Sequence, residues 1–274
     1  MADSENLDLR GIKRMKAGLS TLYCLGKSFR ILLKELKNAP VSNIELVDEG
    51  LHFFTDRRIA SIKKIVRERD FTTTVHAPFA DINIASPNRD VWQIVLKRLK
   101  KSIRFSSNLG STLWVFHPGL RTGISHIYPG LDWRINMRAI LELKRIADKQ
   151  GLRIAIENGP SPFPFLLKNV DDFLKFYDEL RDDDIGITLD VGHANLNGQI
   201  PKFVESFPDR IVHVHVHDNL GDRDAHLGIG EGNIDWHSFL SSLKYAGYQG
   251  MLIVESEKNV HESLFRLKEM LSRL

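Results

Sequence analysis

Ile211-Val-His-Val-His-Val-His217 alternates branched aliphatic and imidazole side chains for seven residues. Strand side chains point alternately to opposite faces, so Val212, Val214 and Val216 share one face and His213, His215 and His217 the other. The valines suit a layer of helices packed outside a sheet. Three histidines on the remaining face then point into the centre of a closed sheet, where an unpaired polar ring is costly unless it meets a metal or a hydrogen-bond partner. The segment reads as one strand of a parallel barrel with a polar interior.

Short apolar runs rich in branched residues recur at 16–20, 43–47, 71–76, 112–117, 153–157, 186–190 and 251–255. These read as further strands. Longer segments with helical spacing lie between and after them, at 29–37, 57–69, 90–108, 133–150, 170–181, 202–207, 236–246 and 260–274. Gly110, Gly151 and Gly247 follow three of these where a left-handed cap would end a helix. Strand and helix alternate about eight times, the order of an α/β protein built as a single (β/α)8 TIM barrel. The barrel is assigned to residues 13–274, and residues 1–12 to a flexible polar tail.

Most of the chemically capable side chains close these strands. His76, His117 and Asp190 occupy final strand positions; Glu157 is in phase with Ala155, and Glu255 with Ile253 and Met251. Both glutamates therefore face inward at C-terminal strand ends, the catalytic mouth of this fold. Asp190-Val-Gly-His193 sets a carboxylate and an imidazole three residues apart across a glycine turn, and Asp224-Ala-His226 repeats the pairing in a later loop. A lone strand-end histidine is more often a hydrogen-bonded structural residue than a ligand. A lone strand-end glutamate is as often a solvated loop residue. Nine such groups converging on one mouth are instead the ligand types expected for zinc, manganese, magnesium or cobalt. Asn158, next to Glu157, is a candidate for orienting a ligand from behind.

Composition bounds the alternatives. With 42% hydrophobic and 27% charged residues and a net charge of +3, the chain reads as a globular protein with a mildly basic surface. The one cysteine, Cys24, has no internal disulfide partner. No stretch approaches the roughly 20 apolar residues that span a bilayer, so no membrane partner is expected. No signal peptide is read at the N-terminus, and a cytoplasmic location is the expectation.

The segments His76-Ala-Pro78, Ile82-Asn-Ile-Ala-Ser-Pro87, His117-Pro-Gly119, Glu157-Asn158, Leu189-Asp-Val-Gly-His193, His215-Val-His-Asp-Asn219, His226-Leu-Gly-Ile-Gly-Glu-Gly-Asn-Ile-Asp-Trp236 and Glu255 together resemble the xylose isomerase-like barrel superfamily. That superfamily contains sugar isomerases, ketose 3-epimerases and endonuclease IV. The resemblance implies a divalent metal held by Glu157, Asp190, His215 and Glu255. It also implies a sugar or sugar-phosphate isomerase or epimerase in which Glu157 and Glu255 move protons through an enediolate. His193 would contact a substrate hydroxyl, Arg223 and Arg121 would bind the substrate or its phosphate, and Phe79 would wall the pocket.

Endonuclease IV adds ligands for a three-zinc cluster. Their matching positions, His76, His117, His193, Asp224 and His226, are all present, so the alternative is a zinc phosphodiesterase acting on abasic DNA. Against it, Glu45-Leu-Val-Asp-Glu-Gly-Leu-His-Phe-Phe54 reads as an acidic loop where a DNA-probing segment would be, and Asp48, Glu49, Asp218 and Asp222 oppose the loop cations. A barrel that binds a ligand without turning it over is the weakest reading, because every acid, base and ligand position survives. A homodimer is the expected assembly, and one metal ion, or three zinc ions for the nuclease, the expected complement.

Overall fold

The computed structural model describes residues 15–180 and 184–274; the expected tail at 1–12 lies outside them. Eight strands, β1 (Lys16–Ser20), β2 (Asn43–Val47), β3 (Thr72–His76), β4 (Leu113–Phe116), β5 (Arg153–Glu157), β6 (Gly186–Asp190), β7 (Ile211–Val216) and β8 (Met251–Val254), run parallel. They close in sequence order, with β8 pairing β1 from Lys16 opposite Met251 to Leu19 opposite Val254. The helices are α1 (Phe29–Asn38), α2 (Asp56–Glu68), α3 (Arg89–Leu109), α4 (Leu131–Lys149), α5 (Val170–Glu179), α6 (Val191–Leu196), α7 (Ile200–Ser206), α8 (Trp236–Tyr245) and α9 (Val260–Ser272). The expectation of a helix over 170–181 ends on residues outside those described.

Two apolar layers result from strand alternation. Outward side chains such as Ile44, Leu46, Trp114, Phe116, Val214 and Val216 join the helix faces in one continuous core. Each such large side chain removed from water contributes about 1.5–3 kcal/mol. Trp114 is completely buried yet satisfied, its indole N–H donating to Ser102 Oγ at 3.1 Å. A second, small cluster of Leu113, Val115 and Ala155 fills part of the barrel interior. Helix ends follow local chemistry: Asn88 accepts hydrogen bonds from Asp90 and Val91 N–H to start α3, and Gly110, at φ +83°, ends it.

Two expectations need correction. Ile187 pairs with Ile211 but Thr188 with His213, so the register shifts at Val212. The bulge turns Val212 onto the interior cluster, while Val214 and Val216 stay with the helices. The second correction concerns Gly192, which sits inside helix α6 and not in a turn. A Cβ there would lie 2.0 Å from His217 Cε1, so the glycine supplies clearance for an imidazole. This short helix escapes periodicity because six residues hold less than two turns.

Candidate metal centre

His215, on β7, is fully buried, and its two ring nitrogens face different groups. Nε2 lies 2.9 Å from Glu45 Oε1. Nδ1 faces three carboxylates: Glu255 Oε2 at 3.4 Å, Glu157 Oε2 at 3.5 Å and Asp190 Oδ2 at 3.9 Å. These come from the ends of β8, β5 and β6, and all are nearly or completely buried. Asp190 also caps α6, accepting from His193 N–H at 2.7 Å, so one residue ends a strand, starts a helix and faces His215. Asn158 pins the same junction, donating to the Asp190 carbonyl at 3.0 Å and accepting from its N–H at 2.8 Å.

The other five candidates flank this core on two sides. Glu157 Oε2 also meets His76 Nε2 at 3.2 Å and His117 Nε2 at 3.3 Å. On the other side, Asp224 Oδ2 meets His193 Nε2 at 3.2 Å and His226 Nε2 at 3.5 Å. His226 is held at φ +42°, uncommon for a non-glycine residue, by hydrogen bonding of its Nδ1 with the Glu255 carbonyl. Its ring stacks on His217 with centroids 3.8 Å apart.

Charge balance tests whether these residues suit a cation. Burial pushes the Glu157 carboxyl up, but His117 and His215 overcome this and hold it well below the usual carboxylate range. Burial likewise raises the Asp190 carboxyl, and His193 and His217 lower it by more. Burial alone would lower the imidazoles, yet neighbouring carboxylates raise His76 to about 9 and His193 to about 10. In the chain alone, protons held on His76, His193, His215 and His226 offset part of the acidic charge. Buried atoms without a hydrogen-bond partner include Nδ1 of His215, Nδ1 of His217, Oδ1 of Asp224 and Oε1 of Glu255. Mixed carboxylate and imidazole donors with unspent lone pairs fit a divalent ion, which would displace those protons.

One partner, Glu45, was not singled out from the sequence, and His213 and His217 were read there only as inward-facing rings. Glu45 is completely buried inside β2, accepting from Thr74 Oγ1 at 2.9 Å and lying 2.8 Å from His213 Nε2. Its strand parity, in phase with Asn43 and Val47, was the available signal. His213 lies beneath His215, and His217 approaches Asp190 at 3.1 Å and Asp224 at 3.7 Å.

The acidic stretch read as a loop is in part strand and buried anchor, whereas Glu49 is half-buried and Asp222 exposed. Glu45 is not in a loop, and Asp48 is fully buried and bonded to Arg98 at 2.7 Å and 2.8 Å. Asp218 is buried too, accepting from the Trp236 indole N–H at 2.9 Å.

A cavity of about 800 Å³ opens above this group, lined by His76, His117, Glu157, His193, Asp224, His226 and Glu255 together with Phe79. Arg121 and Arg223 are exposed and do not line it. Leu22, Leu25, Phe163 and Phe165 form apolar parts of the wall.

This arrangement of a closed parallel barrel with acidic and imidazole groups gathered at its C-terminal mouth agrees with the match of residues 33–272 to the family described as xylose isomerase-like TIM barrel, to which the chain belongs. The chain is 32% identical over 260 residues to the uncharacterized protein MJ1311 of Methanocaldococcus jannaschii, covering 94% of this chain and 88% of that one. A solved D-tagatose 3-epimerase-like protein superposes with a TM-score of 0.89 at 31% identity, covering 94% and 98% of the two chains. A probable endonuclease 4 of Thermoplasma acidophilum is 28% identical over 195 residues, 66% of each chain.

Proposed function

We propose that the protein is a divalent-metal-dependent sugar isomerase or epimerase that moves a proton on the carbon beside a carbonyl. The observation that carries this reading is the placing of Glu157 and Glu255: both carboxylates line the cavity and both face His215 Nδ1. Glu157, Asp190, His215 and Glu255 would hold the ion. When bound, it would supply Lewis-acid stabilisation of negative charge developing on the substrate's carbonyl oxygen. Glu157 and Glu255, from strands three apart in the ring, reach the substrate from different sides. One accepts the carbon-bound proton and the other returns a proton, which permits inversion at that carbon. His193, whose Nδ1 lies 2.8 Å from the Asn158 carbonyl, has its Nε2 edge available to a substrate hydroxyl as well as to Asp224. The phenyl ring of Phe79, edge-on to His76 at 5.5 Å, would wall the pocket on that side.

A second reading, a zinc phosphodiesterase, is favoured by the meeting of His193, His217, Asp224 and His226 in one group. Among the described residues, however, no lysine or arginine lines the cavity to receive a phosphodiester.

Solvent exchange separates the two. Incubated with D-tagatose or D-psicose and manganese or cobalt in D2O, the protein is expected to place one deuterium beside the carbonyl. Glu157→Gln and Glu255→Gln should each slow this by about 100-fold or more. Exchange retained in both variants would sink the scheme. Cleavage of an abasic oligonucleotide without sugar exchange, in protein carrying about three zinc ions per chain, would establish the second reading.

A further inference from the structure

The cavity is larger than a free sugar needs. Its volume of about 800 Å³ lies toward the upper end of the roughly 300–1,000 Å³ of pockets that bury drug-sized ligands. Its wall is divided. Leu22 and Leu25 follow β1, and Phe163 and Phe165 follow β5, so these apolar groups rise from diametrically opposite strands of the eight-membered ring. The arc from β6 to β8 contributes His193, Asp224, His226 and Glu257. A ligand filling this space meets polar groups on the floor and along one arc, and apolar groups across the mouth.

To an anion the site offers only imidazoles, each already facing a carboxylate. Among the described residues no lysine or arginine lines it, whereas Glu157, Asp224, Glu255 and Glu257 do. The glycine-rich turn after β7 offers backbone N–H groups of the kind that cradle phosphate elsewhere. Here they are committed: Gly228 N–H donates to Glu231 at 2.8 Å, Ile229 N–H to Ser263 Oγ at 3.1 Å, and Gly230 N–H to Asp218 at 2.9 Å. The protein's own carboxylates take two of those three donors.

On the sugar reading given above, we infer that the substrate is an uncharged sugar bearing an apolar substituent, an alkyl or aryl group, and not a sugar phosphate. The hydroxylated ring sits on the floor near Glu157 and His193, and the substituent lies between Leu22 and Leu25 on one side and Phe163 and Phe165 on the other. Phe163 is 55% exposed in the free chain, apolar surface that such a group would cover.

The test is equilibrium binding by calorimetry to the manganese-loaded protein. D-glucose and D-fructose are each compared as the free sugar, the 6-phosphate and the benzyl glycoside. The benzyl glycoside is expected to bind at least tenfold more tightly than either companion in one or both series, and Phe163→Ala should remove most of that preference. Tightest binding of a 6-phosphate, equal binding of benzyl glycoside and free sugar, or binding of none would overturn the inference. Binding does not require turnover, so the two readings fail separately. If no sugar exchanges deuterium but the benzyl glycosides still bind most tightly, proton transfer is lost and the ligand assignment stands.

Discussion

Glu45 shows how one side chain can set the chemistry of another. Its carboxylate lies against Nε2 of His215, which leaves Nδ1 turned toward Glu157, Asp190 and Glu255. Burial raises the Glu45 carboxyl, but His215 and His213 more than reverse this and keep it charged. A carboxylate behind a ligating imidazole fixes the ring and raises its basicity. Glu45→Gln keeps the shape and removes the charge. Its manganese affinity should fall about 10–100-fold, measured by competition with a chelating dye, while the circular dichroism spectrum is unchanged. Unaltered affinity would reduce Glu45 to a packing residue.

At the scale of elements, β2 is tied to the outer layer by the bond from Arg98 on α3 to Asp48, which immediately follows the strand. Asp48 is completely buried whereas the Arg98 side chain is 27% exposed. Removing the arginine strands a buried carboxylate, so Arg98→Leu should cost about 3 kcal/mol, read from the urea midpoint with the slope unchanged. A change below about 0.5 kcal/mol would show that water replaces the guanidinium. The strands were legible because each is a short apolar run between polar turns, and their ends located five of the nine candidate ligands, His76, His117, Glu157, Asp190 and Glu255. Less was legible where one residue serves two ends. Glu45 reads as part of an acidic stretch until strand parity is applied, and Val212 defeats parity because a bulge leaves no mark in composition. Gly192 reads as a turn because its reason lies past the end of the neighbouring strand, at His217. The arginines were legible as charge but not as position: Arg121 and Arg223 are exposed and do not line the cavity they were expected to serve.

For the whole molecule, the metal-free chain has a definite pH profile. His76 and His226 are raised to about 9 and His193 to about 10, above the unfolded value of about 6.5. Groups raised in this way stabilise fully below about pH 6.5 and lose their contribution as pH climbs through 9 to 10. Glu45, Glu157, Asp190 and Asp224 are lowered, so their contribution is complete above about pH 4.5 and disappears in acid. Chelator-treated protein should therefore melt highest between about pH 4.5 and 6.5 and lose thermal stability on going to pH 9. Manganese must displace protons from the same atoms, so the stabilisation it adds should grow over that alkaline range. A metal-free melting temperature that rose from pH 6.5 to 9 would contradict the charge balance described for the site.

The closing of β8 against β1 has a consequence for biogenesis. On the proposed reading the four ligands Glu157, Asp190, His215 and Glu255 come from β5 to β8, while Glu45, which backs His215, comes from β2, so the supported set needs both halves of the ring. A chain stalled before β8, or folded with that strand astray, cannot compete for the ion on equal terms. On that reading the ion would favour the finished state over one lacking Glu255 or Glu45, and would deepen that basin by mass action. Metal capture would then act as a certificate of assembly, issued after the ring is shut.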